Sequence, residues 1–247
     1  MKKIKIYEYF ECMLTAVNDE LLKLPAGRLA RKGIRYYHVI NGKEIGITKN
    51  KQLIRLLSRK KYLLELKKRL NKNISTKSSS KHVSIKPEDI IRSLPATYQK
   101  VPISYFYHPT VEKWLARPTK ENTYQGKKYK INDNVILRSK SEFMIASLLE
   151  DYKNIYNFLY IYEPALTLNG QIKYPDFLII ELFTGKIIIW EHFGALHKPE
   201  YEQDMIQKMQ QYLASGFIPF ETIIYTFEFD MDTDRIKYLI ENVILAD

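Results

Sequence analysis

The chain has 247 residues, is 45% apolar, and carries 39 Lys+Arg against 28 Asp+Glu, a net charge of +11. That length suits one or two domains, and that apolar share can bury a core, which argues against wholesale disorder. No run approaches the ~18 consecutive apolar residues of a membrane span, and Cys12, the sole cysteine, excludes an internal disulfide or a thiolate zinc cluster.

Met1-Lys2-Lys3 leads into a mixed polar helix and not into a signal-peptide core. A reducing, cytoplasmic setting with no membrane partner is the expectation. The charge is unevenly spread: residues 1–85 hold 21 Lys+Arg against 6 Asp+Glu, and the rest hold 18 against 22. A basic first third on an otherwise mildly acidic chain suggests a polyanion partner, most simply DNA; plain solubility is the bland alternative.

Residues 4–24 read as a helix, with Tyr7, Phe10, Leu14, Val17 and Leu21 at helical spacing and Pro25-Ala26-Gly27 ending it. The runs 35–40 and 44–47 flank Asn41-Gly42-Lys43, a strong hairpin signal. A second helix follows over 50–70, with cations on its solvent faces. Its Arg55, Arg59, Lys60 and Lys61 are candidate phosphate contacts, because cations that neutralise phosphates release counterions. The order predicts a basic N-terminal helix–hairpin–helix region over 1–72, and a basic helix packed on the rest is the structural alternative. Residues 73–88 are polar and aperiodic and read as a linker. Residues 89–135 are short helices and loops punctuated by proline, with Lys127, Lys128 and Lys130 placed to line a DNA approach.

The remainder predicts a helix over 139–153, a strand over 159–166, a turn at Asn169-Gly170, and strands after Asp176 and before Glu191. A helix over 199–214 closed by Gly216, a strand over 221–229 and a helix over 233–245 complete it. The fold class is α/β with a central mixed sheet flanked by helices.

Two acids stand out. Asp176 opens the run Phe177-Leu178-Ile179-Ile180, and Glu191 closes Ile187-Ile188-Ile189-Trp190. Apolar runs rarely end in an acid without a partner, because burying a carboxylate is costly. A two-residue turn at Thr184-Gly185 would pair Leu178 with Glu191 and Asp176 with Phe193. The two acids would then be diagonal neighbours on one face, roughly 7–8 Å apart at Cα. A turn of odd length would put them on opposite faces.

Pro175-Asp176, an apolar strand and Glu191, preceded by the helix-opening Arg138-Ser139-Lys140-Ser141-Glu142, resemble the PD-(D/E)xK, or restriction-endonuclease-like, nuclease superfamily over roughly residues 135–230. The resemblance implies that residues 89–247 form the nuclease core with its lead-in. It implies a Mg²⁺-dependent endodeoxyribonuclease, with Mn²⁺ as a substitute. Asp176 and Glu191 would hold the metal, and Glu142 would help directly or through water. The family's lysine belongs two residues after the second acid, where this chain has Phe193.

Lys208 is the best replacement. It lies on the stripe Tyr201, Met205, Lys208, Tyr212 of the following helix, and related nucleases can supply the lysine there, with a tyrosine four positions on. Lys173 is the second candidate. Glu163 is an accessory metal residue or an ordinary strand-end acid, and Arg138 suits a phosphate contact. Ser139 and Glu142 also fit a capping box, the competing account of Glu142. Lys208 could instead be a stripe-edge lysine whose stem covers apolar surface. His192 should face away from Glu191, and His197 could approach the site from the loop.

The missing lysine motivates an alternative, a DNA-binding protein that keeps the nuclease fold without activity. RNA processing is a third reading, with no RNA-specific motif to favour it. Restriction, phage or mobile-element DNA processing and repair are settings such an enzyme serves. A double-strand cutter could work as a homodimer.

Overall fold

The computed structural model describes residues 3–76, 82–121, 123, 125–126, 128–131, 135–153, 155–194 and 199–245. The predicted roles of Lys127 and His197 lie outside these. The fold is mixed α/β. The chain divides into two compact units, 1–109 with 155–157, and 110–246 without 155–157. Among the described residues, no helix is long and apolar enough to cross a membrane.

In the first unit α1 (Lys3–Lys23) packs along α2 (Lys51–Ser75). Phe10 and Val17 of the predicted α1 stripe are buried, as are Leu57, Leu63, Leu66 and Leu70 of α2. Between the helices lie β1 (Arg28–Lys32), β2 (Arg35–Ile40) and β3 (Lys43–Gly46), an antiparallel sheet in that order. Asn41 (φ +48) and Gly42 (φ +75) make the predicted two-residue turn. The predicted hairpin is therefore two strands of a three-stranded sheet. β1 joins it through a second two-residue turn at Gly33-Ile34, since Lys32 pairs with Arg35.

The predicted linker at 73–88 begins inside α2. Asn73 is fully buried, and its side chain donates to the Val83 carbonyl (2.9 Å) and accepts from the Val83 amide (2.7 Å). A short helix α3 (Pro87–Ser93) then packs against α2, so the described residues of this stretch belong to the first unit.

Gly27 gives a local test. Its φ is +83°, and a Cβ there would meet the Val39 carbonyl oxygen at 2.5 Å and His38 Nε2 at 2.6 Å. Gly42 (φ +75°) has nothing within 4 Å. Gly27→Ala should destabilise the first unit by about 1–3 kcal/mol, and by more than Gly42→Ala, in thermal melts followed by far-UV circular dichroism. Equal losses would show that the contact with Val39 relaxes at no cost.

The second unit runs from α4 (Pro109–Leu115) through the short strands β4 (Tyr129–Lys130) and β5 (Ile136–Leu137) to α5 (Lys140–Lys153) and β6 (Phe158–Tyr162). The hairpin β7 (Leu166–Leu168) and β8 (Gln171–Lys173) precedes β9 (Phe177–Glu181) and β10 (Ile187–Phe193). Then come α6 (Pro199–Ala214), β11 (Ile223–Phe227) and α7 (Thr233–Leu239), which continues as a π-helical turn over 240–244. The main sheet has the order β11-β10-β9-β6, with β11 parallel to β10 and the other pairs antiparallel.

The strand predicted over 159–166 breaks at Glu163 (φ +44), which Pro164 follows, and β7 starts a separate hairpin. β9 is buried through Phe177, Leu178, Ile179 and Ile180, consecutive positions that face both ways. Both faces of the sheet are therefore covered.

The β9–β10 register corrects one expectation. Ile180 pairs with Ile187 and Leu178 with Ile189, so the loop spans four residues, 182–185, and not two. Gly185 (φ +74) donates its amide to the Glu181 carbonyl (2.9 Å), the Glu181 side chain accepts from the Thr184 amide, and Leu182 and Phe183 turn into the core. The shift is two positions, so the parity is kept. Continued by one pair, the register sets Asp176 directly opposite Glu191 instead of diagonal to it.

Candidate active site

Cross-strand partners share a face, so Asp176 and Glu191 emerge together at the end of the β9–β10 ladder. Asp176 keeps partial exposure, and its Oδ2 accepts from the His192 amide at 2.7 Å. Glu191 is 1% exposed. Its Oε2 accepts from Lys208 Nζ at 2.7 Å, and its Oε1 accepts a short bond from the Tyr212 hydroxyl. Helix α6 supplies both donors, four residues and so about one turn apart. A left-handed Gly216 (φ +84) ends that helix, with Phe217 N–H returning to the Tyr212 carbonyl at 3.1 Å.

Burial pushes the Glu191 carboxyl up to about 7, against the opposing pull of Lys208, while Asp176 adds to the rise. Asp176 is also raised, by burial first, with Lys208 and the His192 amide opposing. For Lys208 burial works downward, but Glu191 and Asp176 outweigh it, so its pKa is raised and the ammonium persists.

The position of the expected lysine is an aromatic one. Phe193 is 3% exposed and stacks on Tyr225 (5.9 Å) and Phe227 (5.8 Å). A lysine there would bury its ammonium among rings. Tyr225 pairs with Glu191 across β10–β11, so it shares that face. Its buried hydroxyl has no hydrogen-bond partner among the described residues, and burial and Glu191 push its pKa up to about 12.

Glu142 acts on Asp176, adding its charge to the burial that pushes that carboxyl up, but its own carboxylate is engaged by neighbouring donors. Its Oε2 accepts from the Arg138 amide (2.9 Å) and the Tyr162 hydroxyl (2.7 Å), and its own amide donates to Ser139 Oγ (3.0 Å). The capping competitor wins in a shifted form, with Arg138 and not Ser139 supplying the amide. Tyr162 pairs with Phe177 and so points to the face opposite Asp176. Among the described residues, no group of three His, Cys, Asp or Glu is placed to hold a metal.

Glu163, 3% exposed, takes a short bond from Arg138 Nη2, with Lys120 Nζ 3.8 Å away. Arg138 also donates to the Tyr162 hydroxyl (3.3 Å). Arg138 is thus tied into a carboxylate network beside the site. Lys173 lies on the β7–β8 hairpin opposite Leu166. His192 faces away, as expected, and is held by Thr226 (3.2 Å) and Glu228 (3.1 Å), a cluster that also takes Ser141 (2.9 Å to Glu228). Nothing in the spacing of Thr226 or Glu228 marks them as its partners.

In the first unit the candidate DNA contacts on α2 turn mostly inward. Arg59 is 4% exposed, bonds both oxygens of Glu20 (2.8 Å each) and donates to the Phe106 carbonyl (2.6 Å). It is an internal strut and not a phosphate ligand. Arg55 donates to the Ser104 carbonyl (3.3 Å) and Lys60 to the Pro25 carbonyl (2.8 Å). Lys61 is half-buried on the same helix.

Compared with protein-family models, with curated proteins and with solved structures, the chain matches none significantly.

Proposed function

We propose that the second unit is a metal-dependent endodeoxyribonuclease of the PD-(D/E)xK kind, with Asp176, Glu191 and Lys208 at its reaction centre. The observation that carries this reading is the β9–β10 register, which, continued by one pair, sets Asp176 opposite Glu191, with the Lys208 ammonium 2.7 Å from Glu191. The order α5-β6-β9-β10-α6-β11, with β11 parallel to β10, supports the restriction-endonuclease-like core; the β7–β8 hairpin is then an insertion.

The residues present fit a magnesium ion. Two carboxylates face one ammonium, and burial pushes both carboxyls up, so a cation bound there would favour their ionised forms. The Tyr225 hydroxyl, on the same face as Glu191, is buried without a hydrogen-bond partner among the described residues. Hard carboxylate oxygens suit Mg²⁺, which commonly takes one or two carboxylates and completes its shell with water and phosphate. Mg²⁺ there would polarise a phosphoryl oxygen and lower the pKa of a bound water.

The side chains have distinct tasks. Asp176 and Glu191 would hold the cation, and the His192 amide and Tyr212 hydroxyl fix their orientation. Lys208, held charged, is unsuited to accept a proton; it stabilises negative charge on the phosphate under attack. Phe193 in its aromatic stack favours the alternative of a DNA binder without activity.

Supercoiled plasmid incubated with Mg²⁺, Mn²⁺ or EDTA separates the two. Nicking or linearisation with either metal, absent in EDTA and in Asp176→Ala, is the expected result. A shifted but uncut plasmid under every metal would leave only the binder.

A further inference from the structure

The first unit carries the positive charge, yet the arginines of α2 are spent inside it. Arg59 and Arg55 are tied as above, and Arg69 donates to the Ser84 carbonyl (2.7 Å), the Asp89 carbonyl (3.0 Å) and Ser93 Oγ (2.8 Å). Exposed arginines also lie on the sheet, at Arg28 and Arg35. Arg28 pairs with Val39, Ala30 with Tyr37 and Lys32 with Arg35, so these side chains share one face. The other face looks inward at Leu29 and Tyr36, while its Ile45 on β3 is exposed. Leu29 is 2% exposed, its amide donates to the Tyr98 hydroxyl (3.2 Å), and Tyr36 Oη donates to the Lys100 carbonyl (3.1 Å).

We propose that the outward face of β1–β3 docks double-stranded DNA through its phosphates. This deepens the DNA-directed reading above and moves the contact from α2 to the sheet. Arg28, Lys32 and Arg35 are all exposed there. The only acid on that face is Glu44, which pairs with Lys32. Arg28 and Arg35 make no ion pair among the described residues, so their charge is available to a partner.

The spacing fits a duplex. Arg28 and Lys32 lie four residues apart on one strand, about 13 Å at the usual rise, and Arg35 sits opposite Lys32. The major groove of B-DNA is about 12 Å wide and admits β-strands. Cations at the two ends of the sheet would meet phosphates on opposite walls of the groove. The row between them is Ala30, Tyr37 and Gly46. Two of these are small, which lets the backbone approach, and the third, Tyr37, carries the Lys32 ammonium over its ring (5.6 Å). The deep, narrow major groove of A-form RNA would not admit this face.

The test uses the full chain in EDTA, where no metal-dependent cleavage can occur, with a short fluorescein-labelled DNA duplex read by anisotropy. R28Q/R35Q should weaken binding at least about tenfold at near-physiological salt and flatten the slope of log affinity against log salt by about two. K68Q/K72Q, exposed lysines of α2, should change affinity by less than about threefold. Both arginines are exposed, so circular dichroism should show the fold retained. An unchanged slope and affinity in R28Q/R35Q would overturn the proposal. So would an equal loss in the α2 variant, or duplex RNA bound as tightly as DNA. A chain that binds through the sheet in EDTA yet never cuts plasmid keeps this inference and loses the nuclease; a cutter indifferent to the sheet variant does the reverse.

Discussion

Lys208→Met should lower the single-turnover rate of plasmid cleavage about a hundred- to a thousandfold, while leaving DNA binding in EDTA nearly unchanged. The magnitude is that of losing one charged group aimed at developing negative charge in a water-poor site. Methionine keeps the length and apolar stem of lysine, so the packing of α6 is largely preserved. Glu191 keeps Tyr212 as a donor in the variant, although the loss of the ammonium leaves a buried carboxylate with less compensation. Lys173→Met is the companion, because Lys173 sits on a separate hairpin, opposite Leu166. Full activity in Lys208→Met with loss in Lys173→Met would transfer the role to Lys173. Full activity in both would show that this chain cuts without a lysine, or with a different one.

The parts of the site that were legible in the sequence are those set by periodicity. The stripe Tyr201, Met205, Lys208, Tyr212 fixes which side of α6 faces the sheet, and both Lys208 and Tyr212 reach Glu191. The alternation of β10 puts His192 on the other face, where Thr226 and Glu228 hold it. The asymmetry is that periodicity gives a face and not a neighbour. Thr184-Gly185 looks like a complete turn, which predicts a β9–β10 pairing two positions away from the one seen. The Glu181 side chain accepts from the Thr184 amide, and Leu182 and Phe183 are buried, so the loop widens to four residues. Such local capping by a strand-end acid is not readable from hydrophobic pattern.

Charge was the least legible property. The cation count over 1–85 correctly marks an unusual segment, but it cannot say which cations are spent internally. Arg59 lies on the buried side of α2 because Glu20 of α1 and the Phe106 carbonyl meet its guanidinium there. Both partners are remote in sequence, at separations of 39 and 47 residues. β1 was missed for a related reason: Arg28-Leu29-Ala30-Arg31-Lys32 has one buried apolar residue and no strong strand formers. It is a strand because β2 offers it an edge. Glu142 shows the reverse, a residue whose local role was legible beside its implied one. A cap shifted by one residue from the foreseen one engages it, through the Arg138 amide, and the Tyr162 hydroxyl holds the same carboxylate, while its charge still adds to the rise that burial gives Asp176.

The buried pair also predicts an unusual pH dependence of stability in EDTA. The Glu191 carboxyl sits at about 7 in the folded chain against an ordinary value of 4.5. A raised carboxylate means that the folded state binds the proton more tightly than the unfolded state does. Its contribution is full below about pH 4.5 and is lost as pH rises toward 7. The difference amounts to on the order of 3 kcal/mol. Asp176 is shifted in the same direction by burial and adds to the decline. Lys208 is raised from 10.5, so its contribution is flat across this window and fades only at alkaline pH. Both tryptophans, Trp114 and Trp190, lie in the second unit, so urea unfolding read by their fluorescence reports that unit alone. Stability should fall between pH 5 and 7, and Glu191→Gln should remove most of the slope. Excess Mg²⁺ should flatten the same limb in the wild type, because a bound dication favours the ionised carboxylate. A stability that rises through this window, or a slope unchanged in Glu191→Gln, would mean that Lys208 and Tyr212 compensate the buried charge without a metal, and that the site has no need of one.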